Sequence, residues 1–512
     1  MTDEAQPAIR PRYAAYALAI LTATNLLNYL ERNAIFAVFE PIKRDLGLTD
    51  TQLGWLGTAY VLVFSLAALP LGLLGDLRSR RAVIAGGIVA WSVGTALSGL
   101  ALGFGSMFAA RALVGFGGAA AAAASASLVA DYFPGKARAF AMGIFMAGLA
   151  VGGVLGIMVA GQLEPFYGWR VTFLALAIPG FGLAALVIRL EDPARPRPLN
   201  MLWRELRDLG VGVGSLAKVT APLLASVALG SVAAYLLDQF VGADSHTDGA
   251  AFSAIVGLGL VWNIRLWRKR SSRVDGDASA DPGDEVVDAA VADLERAFAL
   301  VLRTPTLVYA FVGGALISFG MNGLVAWAPV FITRTLALTT AEATRLLGVA
   351  GLVAGTAGTL AGGWIADLLR KGIPEARVLV SAAGFIIGVP IAFWLLNTRD
   401  PGVFMPLFYA GFFFLTLYNG PLTATVFDVV PPRIGTTVMG AYLLFIHVAG
   451  DSIAFPLVGS LSDRFGLARA IYLLPAAALV GGLITLLAAR TVVRDIERAE
   501  QAPTGSFPAA QP

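Results

Sequence analysis

The chain has 512 residues, of which 57% are hydrophobic and 14% are charged, and its mean hydropathy is +0.74. This composition excludes a soluble globular protein. The formal net charge is only +3, and the basic residues lie between apolar segments instead of forming one patch, which excludes a nucleic-acid-binding surface. The chain has no cysteine, so disulfides and thiolate metal sites are excluded as well.

Apolar segments long enough to cross a bilayer recur along nearly the whole chain, as unbroken runs and not as an alternating pattern. They predict fourteen membrane spans near residues 14–38, 54–74, 82–104, 107–130, 138–161, 170–189, 217–240, 250–267, 307–331, 343–366, 377–397, 402–427, 436–459 and 468–489. Because only helices satisfy their own backbone within such segments, the predicted fold class is an all-α polytopic membrane protein.

The distribution of Lys and Arg predicts that both termini are cytoplasmic. With the N-terminus inside, roughly 27 basic residues fall on the cytoplasmic side and about 8 outside. The start "MTDEAQPAIRPRY" is then a short cytoplasmic tail before an uncleaved first helix and not a signal peptide.

The spans divide into two groups of six with an additional pair between them. The predicted regions are a cytoplasmic tail (1–13), an N-terminal six-helix bundle (14–190), a cytoplasmic linker (191–216), an inserted two-helix hairpin (217–267), a cytoplasmic linker with an amphipathic helix (268–306), a C-terminal six-helix bundle (307–490) and a disordered cytoplasmic tail (491–512). The inserted pair is even in number, so it leaves the orientation of the second bundle unchanged.

An internal repeat connects the two bundles. "GLLGDLRSRR" begins at Gly72 and "GWIADLLRKG" begins at Gly363, each after the second span of its bundle. Two like bundles in parallel orientation are typical of the major facilitator superfamily. We interpret the motif as a cytoplasmic gate that forms in one state and breaks in another, whereas the alternative is an ordinary basic loop with one acid. The gate residues within the motif are Gly72, Asp76, Arg80, Arg81, Gly363, Asp367 and Arg370.

Glu31 and Arg32 are adjacent charges within the first predicted span. A charge near the bilayer centre costs roughly 2.5–3.5 kcal/mol on insertion scales, so it persists mainly where it faces a cavity or a partner. Adjacent helix residues do not face each other. Arg111 of the fourth span lies at a matching depth, which predicts an ion pair between Glu31 and Arg111, with Arg32 directed at a second acceptor or at substrate. Alternatively, the charges extend to the outer interface.

Further polar residues occur within the predicted spans. His447 and Asp451 are four residues apart, so they lie on one helix face and can share a hydrogen bond or a proton, although a purely structural histidine is the alternative. The other polar residues either line a polar path or hold helices together. They are Asn25, Asn28, Tyr29, Asn322, Tyr418 and Asn419.

The fifth span contains the small-residue string "GLAVGGVLG" (148–156), which predicts tight helix packing. The string is similar to the antiporter signature of drug exporters, but it has Gly153 where that pattern carries proline. It therefore gives little support to antiport.

Several motifs together resemble the Spinster family of the major facilitator superfamily, over approximately residues 15–190 and 300–490. They are "NYLER" (28–32), "RALVGFGGA" (111–119), "ADYFPGKARA" (130–139), "LVAWAP" (324–329) and "HVAGD…GSLSD" (447–463). The family's fourth-span acid is Gly118 in this chain, so Glu31 would carry more of any proton coupling. The hairpin 217–267 lies outside the family's usual twelve-span pattern.

The resemblance implies a proton-linked or gradient-linked carrier of lysolipids or sphingoid-type lipids. It adds Asp131 and Arg138 to the predicted gate. The residues that it assigns to coupling, gating or headgroup binding are Glu31, Arg32, Arg111, His447 and Asp451.

We therefore expect an alternating-access secondary transporter of an amphipathic anionic substrate such as a lysophospholipid, coupled to protons. High Ala, Gly and Arg usage indicates the inner membrane of a bacterium. We expect no enzyme activity, no catalytic residues, no cofactor and no metal; the partners are the substrate, protons and membrane lipids, without nucleic acid, and the protein is a monomer. Two alternatives stay open: a fourteen-span drug/proton antiporter, and a non-transporting membrane sensor or assembly partner that docks through the hairpin.

Overall fold

The computed structural model describes residues 10–77, 79–133, 137–192, 299–431 and 434–501, in which all regular structure is helical. The first group of helices is α1 (Pro11–Ala37), α2 (Phe39–Leu46), α3 (Asp50–Leu77), α4 (Arg80–Gly99), α5 (Phe104–Tyr132) and α6 (Ala137–Val187). The second group is α7 (Pro305–Leu336), α8 (Thr340–Ala350), α9 (Thr356–Leu369), α10 (Ala376–Asn397), α11 (Pro401–Thr416), α12 (Asn419–Asp428), α13 (Gly435–Ile446), α14 (Ser452–Phe465), α15 (Leu467–Ala470), α16 (Leu473–Leu487) and α17 (Val492–Gln501). Short π-helical turns join α8 to α9 at Gly351–Gly355 and α13 to α14 at His447–Asp451.

Ten helical stretches in the described residues are long and apolar enough to cross a membrane, which confirms an all-α polytopic membrane protein. The predicted hairpin (217–267) and most of both predicted linkers lie outside the described residues. The count of fourteen spans and the cytoplasmic location of both termini therefore stay predictions.

The fifth and sixth predicted spans form one helical stretch, α6, with a kink at Gly168. Gly168 has φ +73°, a left-handed backbone value that glycine adopts without the steric cost of a side chain. One of the two predicted spans precedes this residue and the other follows it.

Glycines allow α6 to pack very closely against α1. Gly148, Gly152 and Gly156 follow one another at intervals of four, and therefore lie on one face of α6. A Cβ atom at Gly152 would lie 2.1 Å from the carbonyl oxygen of Leu26, and one at Gly156 would lie 2.2 Å from that of Leu30. The tight packing predicted for residues 148–156 is confirmed, and it fixes the position of the first-span charges relative to α6.

The described helices form two compact units. One is built from α1–α6; the other is built from the helices after residue 304, except that residues 340–345 group with the first unit. In the second unit, Phe311 packs edge-on against Tyr442 with ring centroids 5.3 Å apart, inside a core of buried apolar side chains. The second unit therefore has an apolar core of its own.

The segment after the last predicted span corrects the sequence-based expectation. Residues 491–512 were predicted to be a disordered tail, but Val492–Gln501 is the helix α17, and only residues 502–512 lie outside the described residues. Asp495 is buried, and its Oδ2 accepts hydrogen bonds from the backbone N of Thr306 at 3.1 Å and from its Oγ1 at 2.7 Å. The carboxylate thus satisfies an amide in the first turn of α7, where helix amides lack partners of their own.

Candidate functional site

The three charges of the first bundle lie inside it. Glu31 and Arg32 on α1 and Arg111 on α5 have exposed fractions of 0%, 8% and 0%. Side chains that extended to the membrane interface would be exposed, so the interfacial alternative is wrong for these residues. The charges are an internal feature of the bundle and require internal partners.

Arg111 does not form the predicted ion pair with the carboxylate of Glu31. Its Nη2 donates to the carbonyl oxygen of Arg32 at 2.8 Å, and its Nη1 donates to the carbonyl oxygen of Glu31 at 3.3 Å. Carbonyl oxygens have two lone pairs, so those of a helix can accept a second hydrogen bond, and the guanidinium fork fits two successive carbonyls. Arg111 therefore connects α5 to the backbone of α1 at Glu31 and Arg32.

The Glu31 carboxyl points instead towards α4 and α6. The side chains of Trp91 and Thr95 approach it from α4. A Cβ atom placed on Gly180 of α6 would lie 1.9 Å from Ser92 Oγ and 3.7 Å from Glu31 Oε1, which locates Ser92 at the same place. Neither oxygen of Glu31 has a hydrogen-bond partner within the described residues.

Arg32 lies between two tyrosine rings. Its guanidinium carbon is 5.2 Å from the ring centroid of Tyr29 and 5.0 Å from that of Tyr60. At such distances an aromatic face attracts a cation, and the attraction is stronger when the cation is desolvated. The Tyr60 hydroxyl donates to Asn28 Oδ1 at 3.2 Å. The structure thus brings together the predicted residues Asn28, Tyr29 and Arg32, and adds Tyr60.

Gly118 stands at the position where the family that the sequence resembles has its fourth-span acid. Other side chains lie close to this glycine. A Cβ atom there would lie 2.8 Å from Asn28 Nδ2 and 3.0 Å from the Tyr60 hydroxyl. An acidic side chain at residue 118 would therefore require Asn28 and Tyr60 to move. Asn28 and Tyr60 occupy the space into which that acid would point.

A second polar cluster is centred on Asp451 in the C-terminal bundle. Asp451 is fully buried, and its Oδ1 accepts hydrogen bonds from Ser318 Oγ and from Asn322 Nδ2, the latter at 3.0 Å. Its Oδ2 lies 2.7 Å from His447 Nδ1. The predicted contact between His447 and Asp451 is therefore formed, within a π-helical turn of a kind that often occurs at functional sites.

The remaining polar residues have separate contacts. Tyr418 packs its ring against Phe385, with centroids 5.1 Å apart. Asn419 is exposed and donates to Thr359 Oγ1 at 3.2 Å. Asn25 donates to the carbonyl oxygen of Phe145 at 2.9 Å, which is a hydrogen bond between α1 and α6.

At its predicted cytoplasmic end, the first bundle has an ionic cluster around Arg80. Arg80 forms ion pairs with Asp131 at 2.7 Å and with Asp192 at 2.5 Å. Arg81 donates to the carbonyl oxygen of Leu190 at 3.0 Å. The cluster therefore joins the start of α4 to the end of α5 and to the segment after α6.

The second bundle has a matching cluster around Arg377, the second residue of α10. Arg377 forms ion pairs with Asp428 and, at 3.0 Å, with Asp367, while Arg370 lies 3.5 Å from Asp428. Arg80 and Arg377 each begin the third span of their bundle, and Asp131 and Asp428 each end the fourth. The repeat seen in the sequence therefore extends to a repeated ion pair.

The sequence predicts four further gate residues. Gly363 does not provide a close approach, since a Cβ there would meet nothing within 4 Å; the preceding Gly362 does, 2.0 Å from the carbonyl oxygen of Leu417. Arg138 is exposed and donates to the carbonyl oxygen of Ala130 at 3.3 Å. The structure does not describe the side-chain environment of Gly72 or of Asp76.

Sequence reasoning missed several residues of these clusters. They are Tyr60, Trp91, Ser92, Thr95, Asp192, Ser318, Arg377 and Asp428. Continuing the repeat past the loop motif would have found Arg377 and Asp428, because they match Arg80 and Asp131. No group of three or more His, Asp or Glu side chains in the described residues is placed to hold a metal ion.

Comparisons with known proteins agree with this architecture. The family model of the Major Facilitator Superfamily matches residues 21–450. A solved structure of a bacterial homolog to the human lysosomal transporter Spinster, in an inward-facing and occupied conformation, has a TM-score of 0.68 at 19% identity. The superposition covers 95% of this chain and 99% of that one, which shows a common fold.

Two sequence relatives cover nearly the whole chain. Protein spinster homolog 3 of Danio rerio is 23% identical over 98% of this chain and 90% of its own. An MFS-type efflux pump of Mycolicibacterium smegmatis is 24% identical over 95% of each chain.

Proposed function

We propose a function for this chain on the premise that it belongs to the Major Facilitator Superfamily, whose family model matches residues 21–450. It is a Spinster-like, multi-pass membrane transporter, and its homologues are transporters and not enzymes. Within that class we propose a secondary transporter that works by alternating access, moves an amphipathic anionic substrate such as a lysophospholipid, and couples this movement to protons. The inner membrane of a bacterium is the proposed location.

The observation that carries the proposal is a fully buried carboxyl without a paired cation. Glu31 has an exposed fraction of 0%, and Arg111, the neighbouring cation, donates to backbone carbonyls instead of to the carboxylate. A permanently charged, unpaired carboxylate would be very costly in this place, whereas one that alternates between charged and neutral forms is suited to carrying a proton. Glu31 is therefore the proposed proton carrier.

The cationic component of the proposal is Arg32. The rings of Tyr29 and Tyr60 hold its guanidinium in one place beside the proposed proton carrier. Guanidinium groups bind phosphate in a bidentate way, which suits a lysophospholipid headgroup. The motifs that resemble the Spinster family are the second reason for proposing a substrate of this class.

The test is uptake of a fluorescent lysophospholipid into proteoliposomes, with and without an imposed pH gradient. Wild type is compared with Glu31→Gln and Arg32→Gln. We expect the gradient to accelerate wild-type uptake at least tenfold, a factor that corresponds to about 1.4 kcal/mol. Glu31→Gln should lose that response, because an amide cannot carry the proton. Arg32→Gln should lose lipid binding, because it removes the cation proposed for the headgroup.

Glu40→Gln is the matched control, because it is the same substitution on α2, where Glu40 lies 3.6 Å from Arg44. It should keep the gradient response. If wild type moves no lipid in either condition but transports a neutral sugar, the proposed substrate class is wrong. If uptake is unaffected by the gradient, proton coupling is wrong.

Drug efflux is a second candidate function, because the M. smegmatis relative that matches over 95% of both chains is named an MFS-type efflux pump. This function predicts that overexpression raises the resistance of cells to cationic dyes. It also predicts that the same proteoliposomes extrude those dyes when a pH gradient is imposed.

A further inference from the structure

The buried polar atoms without hydrogen-bond partners are concentrated around Glu31. The described residues contain fourteen such side-chain atoms, and six of them belong to this place. They are Glu31 Oε1, Glu31 Oε2, Trp91 Nε1, Ser92 Oγ, Thr95 Oγ1 and Arg111 Nε. Since most buried polar side-chain atoms in proteins are hydrogen-bonded, such a concentration requires an explanation.

The geometry of α4 explains which groups face the carboxyl. Trp91 and Thr95 are four residues apart, and Ser92 and Thr95 are three apart, so all three side chains lie on neighbouring positions of one helix face. All three have an exposed fraction of 0%. The face presents one indole N–H and two hydroxyls to the two carboxyl oxygens of Glu31.

The other elements around Glu31 contribute few titratable groups. From α5 the charged group is Arg111, from α1 it is the adjacent Arg32, and from α3 Tyr60 lies beside these two cations. At this point α6 contributes Gly180, which has no side chain and leaves room for Ser92 Oγ. Trp91 Nε1 and Arg111 Nε can only donate hydrogen bonds, so the groups present match an anion better than a metal cation.

We propose that Trp91, Ser92 and Thr95 form a hydrogen-bonding pocket for the ionised Glu31 carboxylate, that internal water completes this pocket, and that it sets the pH at which the carboxyl exchanges its proton. The proposal rests on the proposed role of Glu31 as proton carrier. Trp91, Ser92 and Thr95 act as positioning residues, since they act through Glu31 and need not touch substrate. Buried water typically bridges such groups by two to four hydrogen bonds.

The experiment measures lysophospholipid uptake as a function of pH for matched variants. Thr95→Val removes the hydroxyl at nearly constant shape, Thr95→Ser retains it, and Ser92→Ala removes the second hydroxyl. Ser98→Ala is the control on the same helix, because the Ser98 hydroxyl already bonds to the carbonyl oxygen of Gly94 at 2.9 Å.

We expect Thr95→Val and Ser92→Ala to move the pH of half-maximal uptake upward by about one unit, because donors to a charged group stabilise the ionised form. Thr95→Ser and Ser98→Ala should retain the wild-type value. A simple structural role would lower protein yield or thermal stability without moving the pH profile.

Infrared difference spectra recorded as the pH is lowered test the pocket without a transport assay. The C=O band of the protonated carboxyl should vanish in Glu31→Gln and move to higher wavenumber in Thr95→Val, since it loses a donor. Unmoved pH midpoints and an unmoved band would overturn the pocket and leave proton coupling intact. Uptake without a gradient response, together with a band shifted in Thr95→Val, would overturn the proposed function and retain the pocket. A band that responds to sodium ions and not to pH would overturn both.

Discussion

Glu31 in the first bundle and Asp451 in the second are both fully buried within polar clusters, but the two acids differ in how they are satisfied. Asp451 accepts hydrogen bonds from Ser318 and Asn322 and shares one with His447. Glu31 is equally buried, and neither of its carboxyl oxygens has a partner in the described residues. A satisfied carboxylate stabilises one charge state and one packing, whereas an unpaired buried carboxyl is costly to ionise, which favours exchange between its neutral and charged forms.

This difference separates the two clusters by role. The cluster around Asp451 should act mainly on the stability of the C-terminal bundle. The cluster around Glu31 should act mainly on coupling. Mutations of the two acids therefore have different expected readouts.

The largest expected effect is a loss of stability in Asp451→Ala. Removing the carboxylate takes away the partner that Ser318, Asn322 and His447 share, which should cost about 3–5 kcal/mol in the free energy of unfolding. Glu31→Ala should cost less, because its carboxyl has no paired cation and faces only neutral donors on α4. Thermal unfolding of both variants in detergent measures this, and an equal loss in the two would contradict the comparison.

A smaller difference is expected between the ionic clusters at the predicted cytoplasmic ends. The Arg80 side chain is 7% exposed and its partner Asp192 is 1% exposed, whereas Arg377 is 19% exposed and pairs with Asp367, which is 66% exposed. Arg80→Gln leaves a buried carboxylate unpaired and should cost about 3 kcal/mol in the free energy of unfolding. Arg377→Gln should cost roughly 1 kcal/mol, because solvent screens part of the cluster.

Unfolding midpoints of the two arginine variants decide this second comparison. Arg44→Gln is the control, since the Arg44 side chain is 78% exposed and its pair with Glu40 is 3.6 Å long. Equal losses for Arg80→Gln and Arg377→Gln would show that burial does not determine the strength of these clusters.

The smallest expected effect is that of Gly118→Ala. The added Cβ would press on Asn28 Nδ2 at 2.8 Å and on the Tyr60 hydroxyl at 3.0 Å. Both are ends of side chains, so a small movement should absorb the contact at a cost of about 1 kcal/mol or less. Gly117→Ala is the contrast, because its Cβ would meet the backbone carbonyl of Gly87 at 2.5 Å and should cost more. Unfolding midpoints of both variants test this order.

The helices could be predicted from the sequence because a bilayer demands long apolar segments, and the observed bounds differ from the predicted ones by only a few residues in most spans. The contact between His447 and Asp451 could be predicted because both residues belong to one helix, where spacing fixes the side-chain direction. The hydrogen-bond partner of Arg111 could not be predicted, because the depth of a residue in the membrane does not give the direction in which its side chain points. Asp192 lies just beyond the last predicted span of its bundle, where hydropathy carries no information about side-chain contacts.

The bond between Thr306 and Asp495 has a consequence for how the protein is made. Thr306 begins the C-terminal bundle, and its acceptor Asp495 belongs to α17, the last helix that the structure describes. During synthesis the first turn of α7 must therefore wait for this acceptor while nearly two hundred further residues are translated. A chain released before residue 495 would contain all the spans of the second bundle but lack the Asp495 carboxylate that bonds to Thr306. We expect such a chain to be an early substrate for quality-control proteases.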